Sequence, residues 1–312
     1  MKPAQQAVSL ALALALAGAS ARGGEKLTLR LRLEKGKTYT RWVQVDQRIL
    51  QEIDNKEQTI EQRLGLGLSL EVADVAAEGR ASVRVAITRV LVGEKFPASE
   101  FAYDSAQKEE ENSPYARPYA ALVGDAFTAV LTPLGRVESA EGLDALGLRV
   151  VRGAPGPGLR RRLAELAGQR LAPKRIEAHL GRLLSHLPER AVAPGDEWTR
   201  RVERGGGLPL AVETTYTLRS RAAGKTTLDV STRTTPLPKA AALDLEIAAL
   251  RPDLRGEGRG RMIVDEATGW VESASVKTTL SGSIRAAISA EESTSWPVLI
   301  ESTLTIGPMP EE

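Results

Sequence analysis

Two histidines, His179 and His186, are the only ones in a chain of 312 residues that contains no cysteine. Imidazole titrates near neutrality, so these two are the first candidates for a general base or a metal ligand. Seven residues apart on a helix, they fall two turns apart on one side, at the edge of a stripe of Ile176, Leu180 and Leu187. Metal ligation within one helix uses i and i+4, as in H-E-x-x-H, and Arg182 between the two rings repels a cation. Both histidines are therefore expected to pack. The lack of cysteine excludes thiol nucleophiles, disulfide scaffolds and zinc fingers.

The remaining chemistry-bearing residues form no constellation. Glu109, Glu110 and Glu111 are a charged loop run, expected to be solvated and able at most to hold a loose calcium ion; the D-x-[DN]-x-[DN]-G loop is absent. Glu138 and Glu272 recur at outward hairpin positions, and Asp265-Glu266 precedes a turn. Serine is common, but no G-x-S-x-G elbow exists. Gly65 and Gly67 lie in a strand opposite leucines, and Gly256, Gly258 and Gly260 lie between strands. Neither set precedes a helix, so phosphate-loop readings fail, and a bend or close backbone approach is expected. Arg160, Arg161 and Arg162 open a helix and are expected to face solvent. Trp42, Trp198, Trp270 and Trp296 are expected to pack against sheets. No catalytic residue, cofactor site or metal site is assigned. The 42 basic and 40 acidic residues give a net charge of +2 and no reason to expect nucleic acid.

The elements that must position these residues are mostly strands. Leu27, Leu29, Leu31 and Leu33 alternate with polar residues, as do Leu64 to Val72 and Val83 to Ile87. Glu78-Gly79, Pro133-Leu134-Gly135, Ala223-Gly224 and Thr268-Gly269 mark turns. Gly153 to Gly158 is dense in glycine and proline. Beyond it, Leu159, Leu163 and Leu166 have helical spacing, and a second helix beginning at Pro173 carries Ile176, Leu180, Leu183, Leu184 and Leu187. The expected class is α+β: predominantly antiparallel β with a central helical insertion. The expected segments are 1–21, 22–152 (N-terminal β half), 153–190 (hinge and helices) and 191–312 (C-terminal β half).

The first segment predicts export. Lys2, the apolar run Val8 to Gly18 and the small-x-small Ala19-Ser20-Ala21 fit a signal peptide, and the run is too short to span a bilayer. A periplasmic or extracellular location, soluble after cleavage and not membrane-spanning, follows as an expectation.

The halves also resemble each other. Lys35 to Arg41 parallels Pro194 to Arg200, Leu70 to Arg89 parallels Tyr216 to Arg233, and G-R-V-E-S-A from Gly135 parallels G-W-V-E-S-A from Gly269. An internal duplication is expected, forming either one curved sheet or two packed sheets.

L-R-L-x-L-E-K-G-K-T-Y from Leu29, Y-A-A-L-V-G from Tyr119, L-T-P-L-G-R-V from Leu131, H-L-P-E-R from His186 and P-G-D-E-W-T from Pro194 follow in order. With these motifs the chain resembles an uncharacterised family of exported bacterial proteins, a domain of unknown function. The resemblance runs from about Leu27 to Pro308; it implies an exported β-rich protein and brings no catalytic residue. At the level of architecture it is also similar to lipoprotein-localisation-type carriers, in which helices close a curved sheet over an apolar cavity. The leading expectation is a non-enzymatic exported binding or carrier protein holding a lipid or other apolar ligand between sheet and helices. The alternative is a structural or interaction module that binds an envelope protein, and the third reading is a hydrolase.

Overall fold

Long stretches of alternating apolar and polar residues dictate extended chain, and the computed structural model joins them into one sheet. It describes residues 25–53, 55–107, 116–143, 186–204, 210–237, 243–245, 248–287 and 293–311, with scattered positions between 145 and 184. The strands are β1 (Thr38–Ile53), β2 (Lys56–Val75), β3 (Ala81–Phe96), β4 (Ser99–Asp104), β5 (Ala126–Leu131), β6 (Val137–Glu141), β7 (Glu197–Arg204), β8 (Leu210–Ala222), β9 (Lys225–Pro236), β10 (Leu243–Leu245), β11 (Ala248–Asp265), β12 (Val271–Ala287) and β13 (Ser293–Gly307). All pairings are antiparallel, in the order β6-β5-β3-β2-β1-β13-β12-β11-β9-β8-β7, with β4 on β3 and β10 on β11.

The expected α+β class is corrected to all-β. No central helical insertion is seen: α1 (Arg117–Ala120) is one turn between β4 and β5, and between 143 and 184 only scattered helical positions, Leu180, Leu183 and Leu184 among them, are described. Residues 162–179, including His179, lie outside the described residues, as does the segment 1–24 with its expected signal peptide. The leucines that suggested a helix stripe do have an apolar partner: Leu180, Leu184 and Leu187 are buried in the same cluster as Leu68, Leu70, Val83, Val85 and Leu131. Helical spacing of leucines records this need for cover, and the class follows from strands up to 20 residues long.

The choice between one sheet and two falls to one. β1–β2–β3–β5–β6 and β7–β8–β9–β11–β12 run in the same sense, each strand followed by the same neighbour, with β13 inserted between β12 and β1. The turns match in detail. Gly36 N–H donates to Val72 O and Val72 N–H to Lys37 O (2.8 and 2.9 Å); Gly195 and Leu218 repeat this with Asp196 (2.8 and 2.9 Å). Gly36, Gly79 and Gly135, like Gly195, Gly224 and Gly269, all have positive φ, the conformation for which glycine carries no Cβ penalty.

One sheet face, here the inner face, carries two apolar clusters. Leu68, Leu70, Val72, Val83, Val85, Ile87, Val90 and Val92 belong to the first; Tyr216, Leu218, Leu228, Val230, Met262, Val276 and Ile306 belong to the second. Leu27 to Leu33 was expected to be a strand of the sheet. Its leucines are buried as the alternation demands, but the segment joins no ladder, and Leu27 makes only an isolated bridge to Val192. It covers the end of the sheet instead. Within β11, Cβ atoms at Gly256 and Gly260 would meet the backbone of β12, and one at Gly258 would meet Thr232 and Thr278. These glycines serve close strand approach.

Candidate functional site

Two regions invite a functional reading, one closed and apolar, the other open and charged. In the closed one, the leading segment 27–33 and the segment 184–192 cross the end of the sheet. Leu31 N–H donates to Pro133 O (2.7 Å) and Arg32 N–H to Thr268 O (2.8 Å), so the leader touches the turns of both halves. The packing is reciprocal: the Leu184 backbone abuts Gly135, and the Arg30 backbone abuts Gly269. The Arg30 guanidinium donates to Pro188 O and Glu189 O (both 2.8 Å), and Trp198 Nε1–H to His186 O (2.7 Å). The apolar space bounded by Leu68, Leu70, Leu180, Leu184, Trp270 and Ile306 is a void of about 10 Å³, little more than one water. The space between the sheet and the described residues 180–184 is closely packed at this point; most of the expected helical cover lies outside the described residues.

His186 lies within this closure, fully buried, and neither ring nitrogen has a hydrogen-bond partner among the described residues. Burial lowers its pKa to about 4, against the opposing influence of the Gly269 and Leu183 backbone. A neutral, enclosed ring packs within the closure.

The other candidates take structural places. Glu138 pairs with Arg80 (3.5 Å) and Glu272 with Lys225 (2.6 Å). Asp265 Oδ1 accepts from Thr268 N–H and Oγ1–H (2.8 and 2.6 Å), shaping the turn, and Glu266 binds Arg221. The Arg221 guanidinium holds the Glu266 carboxyl below the usual carboxylate range. Arg160 and Arg161 are exposed; Arg162 and Glu109 to Glu111 lie outside the described residues. Trp42 packs on the outer face, its ring over Gly65 and under Arg89 (5.6 Å); Trp270 packs with Tyr39 (5.2 Å), Trp198 with Tyr216 (5.8 Å), and Trp296 beside Val298 and Ile300. No group of three potential metal ligands occurs among the described residues, and no helix there is long and apolar enough to cross a membrane.

The open region is a groove of about 700 Å³ across six strands. Its lining comes in consecutive triplets: 277–279 on β12, 301–303 on β13, 46–48 on β1, 61–63 on β2, 93–95 on β3 and 100–102 on β4. Strand alternation sends the middle member of each to the inner face and the outer two to the opposite face. The two flanking members of each triplet, among them eight of the nine charged residues of the lining, thus point to the outer face, away from the closed core. Two rows line it in register: Lys277–Thr303–Asp46–Arg63–Gly93–Ala102 and Thr279–Glu301–Arg48–Glu61–Lys95–Glu100. The second row alternates acid and base through five consecutive strands. Arg63 Nε donates to Asp46 Oδ1 (2.5 Å); among the described residues the other six charged side chains of these rows close no ion pair. Sequence reasoning missed this site because its rows assemble from three distant stretches. The available signal was charge at the wet positions of the longest strands.

The chain belongs to a family of unknown function (DUF6263). The match covers residues 78–271, more than half of the chain, from just before β3 into the start of β12. No curated protein matches it. A solved structure of lipid–protein interactions in lipovitellin aligns with a TM-score of 0.45 at 9% sequence identity, over 89% of this chain and 26% of that one. The chain spans about a quarter of that lipovitellin chain.

Proposed function

We propose that the protein is an exported, non-enzymatic binding protein whose ligand sits in the outer groove of β12-β13-β1-β2-β3-β4. The contrast of volumes carries this reading: about 10 Å³ beneath the crossing segments against about 700 Å³ on the outer face. Ligand pockets fall in the range of roughly 300–1,000 Å³, and the outer groove lies within it. The signal-like run Val8 to Gly18 supports export.

Gly93 offers a clean test. Its Cβ position meets only the Arg63 Cβ, at 3.6 Å, so a side chain there projects into the groove without disturbing the strand. Native mass spectrometry of the chain after incubation with envelope extract should show a non-protein adduct, and Gly93→Trp should lack it at unchanged melting temperature. An adduct retained by Gly93→Trp would overturn the groove, and capture of a protein partner alone would favour the interaction-module reading.

A further inference from the structure

We infer that the groove takes a neutral, hydroxyl-rich chain, a glycan, in extended form; this deepens the groove reading and rests on it. The shape comes first. Six strands at about 4.8 Å spacing make the groove roughly 24 Å long, the dimension of an extended chain of several units.

The chemistry comes second. The rows hold four carboxylates (Asp46, Glu61, Glu100, Glu301) and four cations (Arg48, Arg63, Lys95, Lys277), so the two rows are neutral together, and Glu94, at the inner-face position of its triplet, adds one carboxylate to the lining. A polyanion would meet a carboxylate on every second strand, and a polycation would meet a guanidinium or ammonium as often. An apolar chain would strip water from all eight groups with nothing to replace it. A hydroxyl both donates and accepts, so a polyol satisfies carboxylate and cation alike wherever it lies in the groove. The six charged side chains that close no ion pair keep their hydrogen-bonding capacity for such a ligand. An extended peptide matches less well: its groups repeat at about 3.3 Å along the chain, out of step with strands about 4.8 Å apart. Phe101, the aromatic residue of the lining, belongs to the inner-face position of its triplet, so the sugar rings would be held by hydrogen bonds and not by stacking.

The test uses three oligosaccharides of similar length: N-acetylglucosamine oligomers (neutral), glucosamine oligomers (cationic) and galacturonate oligomers (anionic), titrated calorimetrically into the mature chain. The neutral series should bind at least tenfold more tightly than either charged one, and Gly93→Trp should abolish binding. Glu61→Lys, which sets three cations side by side in the second row, should shift preference toward galacturonate by about tenfold. Equal binding of all three, or tighter binding of a charged series by the native chain, overturns the glycan assignment. So does failure of every series to bind. In each of these cases an envelope adduct lost in Gly93→Trp keeps the groove itself, and one retained in Gly93→Trp removes both.

Discussion

The closed end of the sheet and the outer groove are built from the same strands and behave in opposite ways. At the closed end, apolar side chains from both halves and two crossing segments pack together, and a histidine is enclosed among them. Across the groove, charged side chains stand in alternation, and six of eight remain unclosed among the described residues. The difference teaches where the molecule keeps its stability and where it keeps its capacity to interact. Substitutions at the closed end should cost folding free energy, and substitutions in the groove should cost almost none.

The largest effect is expected at the crossing. Gly269 has φ +68°, and a Cβ there runs into the Arg30 backbone. Gly269→Val should destabilise by about 4 kcal/mol or abolish folding, since positive φ and a collision with backbone combine. Gly36→Ala is the control: φ is +78° with open space around it, so about 1 kcal/mol is expected from conformation alone. Urea unfolding of the two variants measures the gap. Equal losses would mean that the leader 27–33 can leave the closure without cost.

Next comes His186. Its pKa is near 6.5 unfolded and about 4 folded, so between those values the unfolded chain binds more protons. Stability from this group is therefore complete above about pH 7, falls as pH drops through 6.5, and is lost by about pH 4, a change of roughly 3 kcal/mol. His186→Leu should remove this component while leaving the acid dependence due to carboxylates. The native chain should thus lose roughly 3 kcal/mol more than His186→Leu between pH 7 and pH 4. An identical pH profile for the two would show that the ring is hydrated in solution.

Much of this contrast was legible in the residues, and its limits are physical. Turns could be placed because Gly79, Gly135, Gly224 and Gly269 meet a local backbone demand that shows in composition. Strands could be placed from period-two alternation. The alternation at Leu29, Leu31 and Leu33 reports burial and cannot report whether a ladder forms, so a covering segment looked like a sheet strand. Likewise Leu180, Leu184 and Leu187 announce an apolar neighbour, and assigning an α+β class to that signal confused cover with architecture. The groove was invisible for a different reason. Arg48, Glu61, Lys95, Glu100 and Glu301 become a row only through the register of five strands, and register is a tertiary property.

The smallest effect tests the groove side of the contrast. Arg48 and Glu61 are directly opposite on β1 and β2, yet no ion pair closes between them. Cross-strand opposite charges contribute about 0.2–1 kcal/mol, and exposed pairs fall at the low end. Arg48→Gln and Glu61→Gln should each change stability by under about 0.5 kcal/mol, with a coupling in the double variant of about 0.3 kcal/mol or less. The same substitutions should weaken binding in the groove much more than they weaken the fold, because each removes a charged hydrogen-bonding group without altering the strand. A coupling well above about 1 kcal/mol would show that the rows exist to pin the register, and the groove would then be a by-product of strand pairing.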